Sequence, residues 1–402
     1  MRLPTHRRRR RVGRRLASNG WCVMSITADV EVLAAIGPRV RKSPFWDDTV
    51  QAGLSAVSSY NHMWLPMSYG DADEEYRLLT EAVTIWDVAA QRHVAVRGPD
   101  ADSIVQYVTA IDASKIDVGI AAYAPMVDHH GVLINDPILF HVDVDEWHFS
   151  IADADIRLWI DAIARERGAD CSVTELDTVT LALQGPLAEA VMSDLGVDVD
   201  GMNDLEQRSA TIDGLDVMVS RSGWSTQGGY EIFLDDPRHA SRLWTAVASA
   251  GQAHGIGPAA PNPSERIENV LLSYGTDTGY HANPLELGLG DTIDLDHDDF
   301  VGRDALRRIR DAGPERRLLG VVIDGPRRDT LPHPVPISSG ATTLGELRAA
   351  AWSPRFAVNL GLALVDRDVE PGSTGRAEPP SGACELTFVE LPFEEPLPGH
   401  DR

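Results

Sequence analysis

Arg221-Ser222-Gly223-Trp224-Ser225-Thr226-Gln227-Gly228-Gly229-Tyr230-Glu231-Ile232 is the densest polar, aromatic and glycine stretch of the chain. Its glycines allow close backbone approach, Trp224 and Tyr230 offer stacking faces, and Glu231 begins a strand with an acceptor. That set suits a flat heteroaromatic ligand presenting N–H donors, and a hairpin with an ordinary turn accounts for the same pattern. Working outward, short strand-like runs lie at His93–Arg97, Trp147–Ile151, Val179–Leu183, Val217–Ser220 and Tyr230–Leu234.

Helices stand between these strands. Asp153-Ala154-Asp155 precedes Ile156, Trp159, Ile160 and Ile163, an i, i+3, i+4, i+7 stripe that stops at Gly168. Pro186 sits where a first turn would begin and Gly196 closes that segment, while Pro237 and Gly251 bracket Leu243, Trp244 and Val247. The acidic stretch 284–299 reads as a loop. After Gly313-Pro314, Leu318–Ile323, Ala349–Trp352, Asn359–Val365 and Cys384–Val389 read as strands, with no helix of strength beyond Arg310. A boundary near 313 therefore separates an α+β region, 43–312, from a small β-barrel or sandwich, 313–402. No internal repeat is evident.

Two further places could carry chemistry. Gly131-Val132-Leu133-Ile134-Asn135-Asp136-Pro137-Ile138-Leu139 sets two polar side chains in an apolar run. A buried carboxylate must be paired, hydrogen-bonded or functional, and Asn-Asp-Pro is also good turn chemistry. Arg266 and Glu268, two apart, cannot share one helical face, so one is expected to point inward, with Arg the better partner for a distant carboxylate.

Other motifs fail on inspection. Gly37-Pro38-Arg39-Val40-Arg41-Lys42-Ser43 has Arg41 where a P-loop needs its second glycine. Pro258, Pro261 and Pro263 forbid the helix a dinucleotide fingerprint at Gly255-Ile256-Gly257 would require. Gly223-Trp224-Ser225-Thr226-Gln227 lacks the last glycine of a nucleophile elbow. Asp294, Asp296 and Asp298 start like a calcium loop, but Asp299 and Ala305 replace its Gly and Glu. Adjacent His129 and His130 would point to opposite faces of a strand, and no metal is expected.

The 402 residues carry 36 Lys+Arg against 61 Asp+Glu and 43% hydrophobic side chains, a composition for folded domains rather than disorder. No stretch is long and apolar enough for a membrane-spanning helix. Eight arginines and no acid lie in residues 1–23, leaving the rest of the chain at a net −33. That charge repels nucleic acid and anionic membranes. Only Lys42 and Lys115 are lysines, which fits a high-salt cytoplasm or a biased genome equally well. The leader lacks the apolar stretch of a secretory signal, and the expectation is an over-extended start or a disordered segment, with Met24 the natural first residue. Cys22, Cys171 and Cys384 give neither a disulfide framework nor a zinc pattern, so a reducing cytoplasm is the simplest home.

The stretch Ser222 to Ile232 resembles a hallmark of the folate-dependent family of the glycine-cleavage T-protein (aminomethyltransferase), which includes dimethylsulfoniopropionate demethylases. Trp86-Asp87-Val88, Tyr123, Asn135-Asp136, Gln184-Gly185-Pro186, Arg266-Ile267-Glu268, Tyr274-Gly275 and Phe300-Val301-Gly302-Arg303 match in order. Trp352-Ser353-Pro354 and Leu360-Gly361-Leu362-Ala363-Leu364 resemble its C-terminal barrel, so the likeness covers about residues 43–390. Ser43-Pro44-Phe45-Trp46, Tyr60-Asn61-His62-Met63 and Ser68-Tyr69-Gly70-Asp71 follow the sulfonium demethylase branch, as do Pro261-Asn262-Pro263 and Leu271-Leu272-Ser273. The T-protein proper has two acids where Asn135-Asp136 stands, and a tyrosine at Trp224.

The resemblance implies a three-lobed ring with tetrahydrofolate, as methyl acceptor, in a central channel. Glu231 would bind the pterin N–H groups; Tyr123, Trp224 and Arg266 would line it; Asp136, near the pterin N5, would be catalytic. Trp224 and Tyr60 would meet a small-molecule methyl donor, dimethylsulfoniopropionate or a similar onium compound. Aminomethyl transfer, or demethylation of methylated amines, is the alternative. The resemblance leaves open a homodimer. Related iron–sulfur assembly factors carry Lys-Gly-Cys where Phe300-Val301-Gly302 stands, and the oxidoreductase fusions of the family need a dinucleotide fingerprint; neither feature is present.

Overall fold

The computed structural model describes residues 21–27, 30–35, 37–297 and 299–398. Residues 1–20, which hold most of the leader, lie outside them, and a hairpin of Trp21–Thr27 with Val30–Ala35 follows.

Strand alternation builds two facing sheets. A six-stranded sheet runs Gln207–Ile212, Leu215–Ser220, Gly229–Leu234, Val179–Gln184, Thr84–Asp87, Gly257–Pro258, antiparallel except for its last pair. Leu181, Leu183, Val217, Val219, Tyr230 and Ile232 pack from one face onto the helices Ala188–Asp194 and Ala240–Ala250. A five-stranded sheet runs Ser172–Leu176, His93–Arg97, Glu146–Ser150, Ile138–Asp143, Ala121–Tyr123. Its Val94, Val96, Leu139, Trp147 and Phe149 pack onto the helices Ala101–Val108 and Arg157–Glu166. Period 2 sends the intervening residues of both sheets toward each other. There His93 Nε2 meets Thr180 Oγ1 at 3.0 Å, and Phe233 stands edge-on to both His93 and Phe140.

The third lobe is a closed six-stranded barrel beginning at Arg316–Ile323 and ending at Cys384–Val389, filled by Val321, Ile337, Leu347, Val365 and Phe388. Val335–Ser339 and Thr374–Ala377 are barrel strands the sequence pattern did not show, since Pro336 interrupts one and the other has four residues. Leu364 of the barrel joins a cluster with Val127, Leu133 and Tyr274, and Ile267 joins one with Val322, Leu360 and Leu362. Each lobe therefore rests on the other two, closing a three-lobed ring. No helix among the described residues is long and apolar enough to cross a membrane.

Ser43 anchors the chain before the first lobe by donating to Asp87 Oδ2, while Ala89 N donates to Oδ1 at 3.2 Å. Burial pushes Asp87 up to about 7, offset in part by those donors. Ser43→Ala leaves this buried carboxyl a donor short, and a loss of about 1–3 kcal/mol in urea unfolding is expected.

Candidate active site

Across the inward face of the six-stranded sheet, register aligns Gln207, Ser220, Glu231, Ala182 and Trp86 in one row. All five alternate with core residues, so they turn away from the helices. Glu231 is 5% exposed, and its Oε2 accepts from Ser222 Oγ at 2.6 Å. Burial raises its pKa, while hydrogen bonds from Ser222 and Gln91 oppose the rise. Around it Trp86 Nε1, Ser220 Oγ, Gln207 Oε1 and Gln91 Oε1 are buried with no hydrogen-bond partner. Native interiors rarely leave such groups unpaired. Donors and acceptors held in one row beside a buried carboxylate, with only a methyl at Ala182 between Glu231 and Trp86, make a seat for a flat polar ligand.

The loop that opens this stretch is fixed by Gln184. Its Nε2 donates to Ser222 O at 3.0 Å and its Oε1 accepts from Ser225 Oγ at 2.8 Å. Gly223, at φ +153°, lies so close that an added Cβ would fall 2.0 Å from Gln184 Nε2. Gly223→Ala must therefore displace the loop and the Ser222 bond to Glu231. A loss of about 1–3 kcal/mol in stability, with weaker ligand binding at Glu231, is expected in thermal melts and titrations.

On the facing sheet, Tyr123 OH donates to Asp136 Oδ2 at 3.0 Å. Asp136 stands with Pro137 between the strands Leu133–Asn135 and Ile138–Asp143, so the turn chemistry and the candidate carboxylate coincide. Burial, and then the charge of Asp277, push Asp136 up to about 7, against the pull of the Tyr123 hydrogen bond. Tyr60 ends the strand Ala56–Tyr60, and its hydroxyl is raised by burial and then by the charges of Asp136 and Asp153. Tyr60, Tyr123 and Asp136 thus form one cluster. Asn135 is fully buried and makes three hydrogen bonds to Ala152 and Ala154, so it acts as a clamp.

Trp224 and Arg266 form a second group, with the guanidinium carbon 5.8 Å from the indole centroid. Arg266 Nη1 donates to Asp277 Oδ2 at 2.6 Å, and Asp277 is fully buried with Oδ1 unpartnered. Both Arg266 and Glu268 are buried, contrary to the expectation that one alone points inward. The helix Pro263–Glu268 is wedged between the barrel and the six-stranded lobe, so opposite sides of it are covered. Glu268 accepts from Tyr76 OH at 2.7 Å and from Ser353 of the barrel. On the same helix Glu265 Oε1 accepts from Thr226 N and Oγ1 at 2.9 Å, fastening the glycine loop.

Asp277 connects these groups, being bonded to Arg266 and felt electrostatically by Asp136. Glu231 lies on the opposite sheet, and no direct contact joins it to Asp136, Arg266 or Trp224 among the described hydrogen bonds and ring contacts. A cavity of about 780 Å³ opens between the same sheets beyond the Phe140–Phe233 pair, lined by Arg97, His148, Asp216 and Asp235 and by none of the expected site residues. Among the described residues no cluster of His, Cys, Asp or Glu could hold a metal ion. Sequence reasoning missed Gln91, Gln207, Ser220 and Asp277. Their signal is a lone polar residue in or beside an apolar run, which becomes readable only once pairing partners are known.

The chain matches the GCVT N-terminal domain over residues 46–297 and the glycine cleavage T-protein C-terminal barrel domain over residues 316–394. It is 34% identical to the dimethylsulfoniopropionate demethylase DmdA of Ruegeria pomeroyi, over 89% of this chain and 99% of that protein. It is 31% identical to the aminomethyltransferase of Symbiobacterium thermophilum, over 88% of this chain and 97% of that protein. The fold is that of the glycine cleavage system aminomethyltransferase T from Bartonella henselae, with TM-score 0.79, 21% identity, and coverage of 89% of this chain and 98% of that one.

Proposed function

The chain belongs to the glycine-cleavage T-protein family and is a folate-dependent one-carbon transferase, and from that premise we propose that it moves a methyl group from dimethylsulfoniopropionate, or a similar small onium compound, to N5 of tetrahydrofolate. The observation that carries the proposal is the buried Glu231 row on one sheet facing the Tyr123–Asp136 pair on the other. Glu231 and the unpartnered Gln91 Oε1 are acceptors for the amino and ring N–H groups of a pterin, and Trp86 Nε1 and Ser220 Oγ offer donors. That donor set fits the cofactor.

When bound, tetrahydrofolate supplies a nucleophilic N5 that accepts the methyl group. A sulfonium methyl is already activated because a neutral thioether leaves, so the protein mainly positions and orients, which contributes about 7–11 kcal/mol. Asp136, oriented by the Tyr123 hydroxyl, stabilises positive charge arising on the acceptor side and receives a proton there. Trp224 and Tyr60 face the cationic donor, each such contact contributing about 0.5–2 kcal/mol.

Two features favour methyl over aminomethyl transfer. Asn135 is spent on backbone carbonyls, which leaves Asp136 without a second acid beside it in the Asn-Asp pair, and Trp224 presents an indole face. Mass spectrometry of the folate pool tests this: incubation with dimethylsulfoniopropionate should yield 5-methyltetrahydrofolate and a thioether. Formation of 5,10-methylenetetrahydrofolate from an aminomethyl donor, with none of the methyl product from the sulfonium, would reverse the assignment.

A further inference from the structure

Asp153 lies in the segment between the strand Glu146–Ser150 and the helix Arg157–Glu166. The spacing of Asp153 and Asp155 before an apolar stripe reads as helix capping, yet only Asp155 serves the helix, its Oδ1 accepting from Arg157 N at 3.1 Å. Asp153 is instead the apex of a three-residue turn, in which Ala154 N donates to Ala152 O at 2.6 Å. Asn135 grips that turn from both sides: its Nδ2 donates to Ala152 O at 3.3 Å and Ala154 O at 3.0 Å, and its Oδ1 accepts from Ala152 N at 3.0 Å. Because Asn135 adjoins Asp136, the clamp ties the Asp153 turn to the strand that leads into Asp136.

The hairpin Ala56–Tyr60 and Met63–Ser68 reaches the same place from the other side. Its tip is Asn61-His62, at φ +48° and +59°, a conformation that Asn and His tolerate better than most residues. Asn61 N donates to Asp153 Oδ1 at 2.6 Å, while its Nδ2 donates to Ala90 O at 3.0 Å and Ile151 O at 3.2 Å. Tyr60, one residue earlier, is thereby held next to Asp153 and Asp136. Tyr274 completes the group: its hydroxyl is buried with no hydrogen-bond partner and feels the charges of both carboxylates. Asp153 itself is solvent-exposed.

The charges here do not balance. Asp277 is matched by its bond to the Arg266 guanidinium and Asp136 is only about half ionised at pH 7, but Asp153 has no cationic partner among the described ion pairs. Surplus negative charge among the rings of Tyr60, Tyr123, Tyr274 and Trp224 is what a methylated onium cation requires, since such a cation has no N–H to donate and spreads its charge over aromatic faces. We infer that Asp153 is the counter-charge that selects the cationic methyl donor, a specificity-determining carboxylate whose other duty is to hold the Tyr60 hairpin tip. This rests on the onium-donor reading above.

Asp153→Asn separates the two duties, because the amide oxygen can still accept from Asn61 N while the charge is gone. The expected result is a KM for dimethylsulfoniopropionate raised by about tenfold, with kcat and tetrahydrofolate affinity little changed. Asp153→Ala, which also frees the hairpin tip, should lose kcat as well. A wild-type KM in the Asn variant, with the loss confined to the Ala variant, would reduce Asp153 to a latch and overturn the inference. A calorimetric titration with tetramethylammonium decides the point without turnover. The Asn variant should bind this probe about tenfold more weakly than wild type, whereas equal affinity, including no binding to either protein, overturns it. Failure of the wild type to methylate folate from any sulfonium would instead sink the methyl-donor reading, and the calorimetric comparison would still judge Asp153.

Discussion

Glu231→Ala is expected to weaken tetrahydrofolate binding by about 100–10,000-fold in a fluorescence or calorimetric titration, because two hydrogen bonds to a charged acceptor contribute about 1.5–3 kcal/mol each. Glu231 is 5% exposed and fixed by Ser222 and Gln91, and the acceptors near it, Gln91 Oε1 and Gln207 Oε1, are neutral amide oxygens that do not replace its charge. Glu231→Gln keeps shape and one acceptor but turns an amide N–H toward the pterin donors, and an intermediate loss should result. Neither variant should unfold the protein. Burial raises the Glu231 pKa, which means the folded state bears a cost for that charge that both substitutions remove. Affinity within about threefold of wild type in the Ala variant would remove Glu231 from the site.

Asp136→Asn is expected to lower kcat by about 100–1,000-fold while leaving tetrahydrofolate affinity nearly intact, as fits a group acting on the proton and charge rather than on pterin recognition. The wild-type rate should depend on pH in a defined direction. Asp136 is held at about 7, chiefly by burial and then by Asp277, so its ionised form falls tenfold for each pH unit below that value. kcat should climb from pH 5 and level off above about 7, and the Asn variant should lose that rise. The stability consequence has the opposite sense. A carboxyl whose folded pKa lies above its unfolded value favours the folded state most below about 4 and loses that contribution as pH rises through about 7. Asp136→Asn should therefore melt at or above the wild-type temperature at pH 8. A variant that kept full kcat, or a flat profile in the wild type, would exclude Asp136 as the proton acceptor.

How far these expectations could be read from the chain alone differs by residue. The stretch Ser222–Ile232 disclosed its own strand and acceptor, because the glycines, the aromatic rings and Glu231 are local features. The helices Ala188–Asp194 and Ala240–Ala250 were legible through Pro186 and Pro237 and their apolar periods. Gln207, Ser220 and Trp86 were not, since their common row depends on which strands pair, and Trp86 is 145 positions from Glu231. Asn135 looked like half of a polar turn; the carbonyls it clamps lie 17 and 19 residues on, in a segment with no regular structure. Asp153 read as a helix cap because short-range pattern cannot reveal that Asn61, 92 residues away, takes its oxygen. Arg266 and Glu268 broke the one-face rule because a helix wedged between lobes is covered on opposite sides.

Methyl transfer to folate from an onium donor is tested most directly by following the label from dimethylsulfoniopropionate carrying fully deuterated S-methyl groups, incubated anaerobically with protein and tetrahydrofolate. The expected product is 5-methyltetrahydrofolate with all three deuterons retained, formed one for one with the deuterated thioether and abolished in Glu231→Ala. Loss of deuterium into a methylene product, or bound folate that never acquires the label from this or any other sulfonium donor, would contradict it.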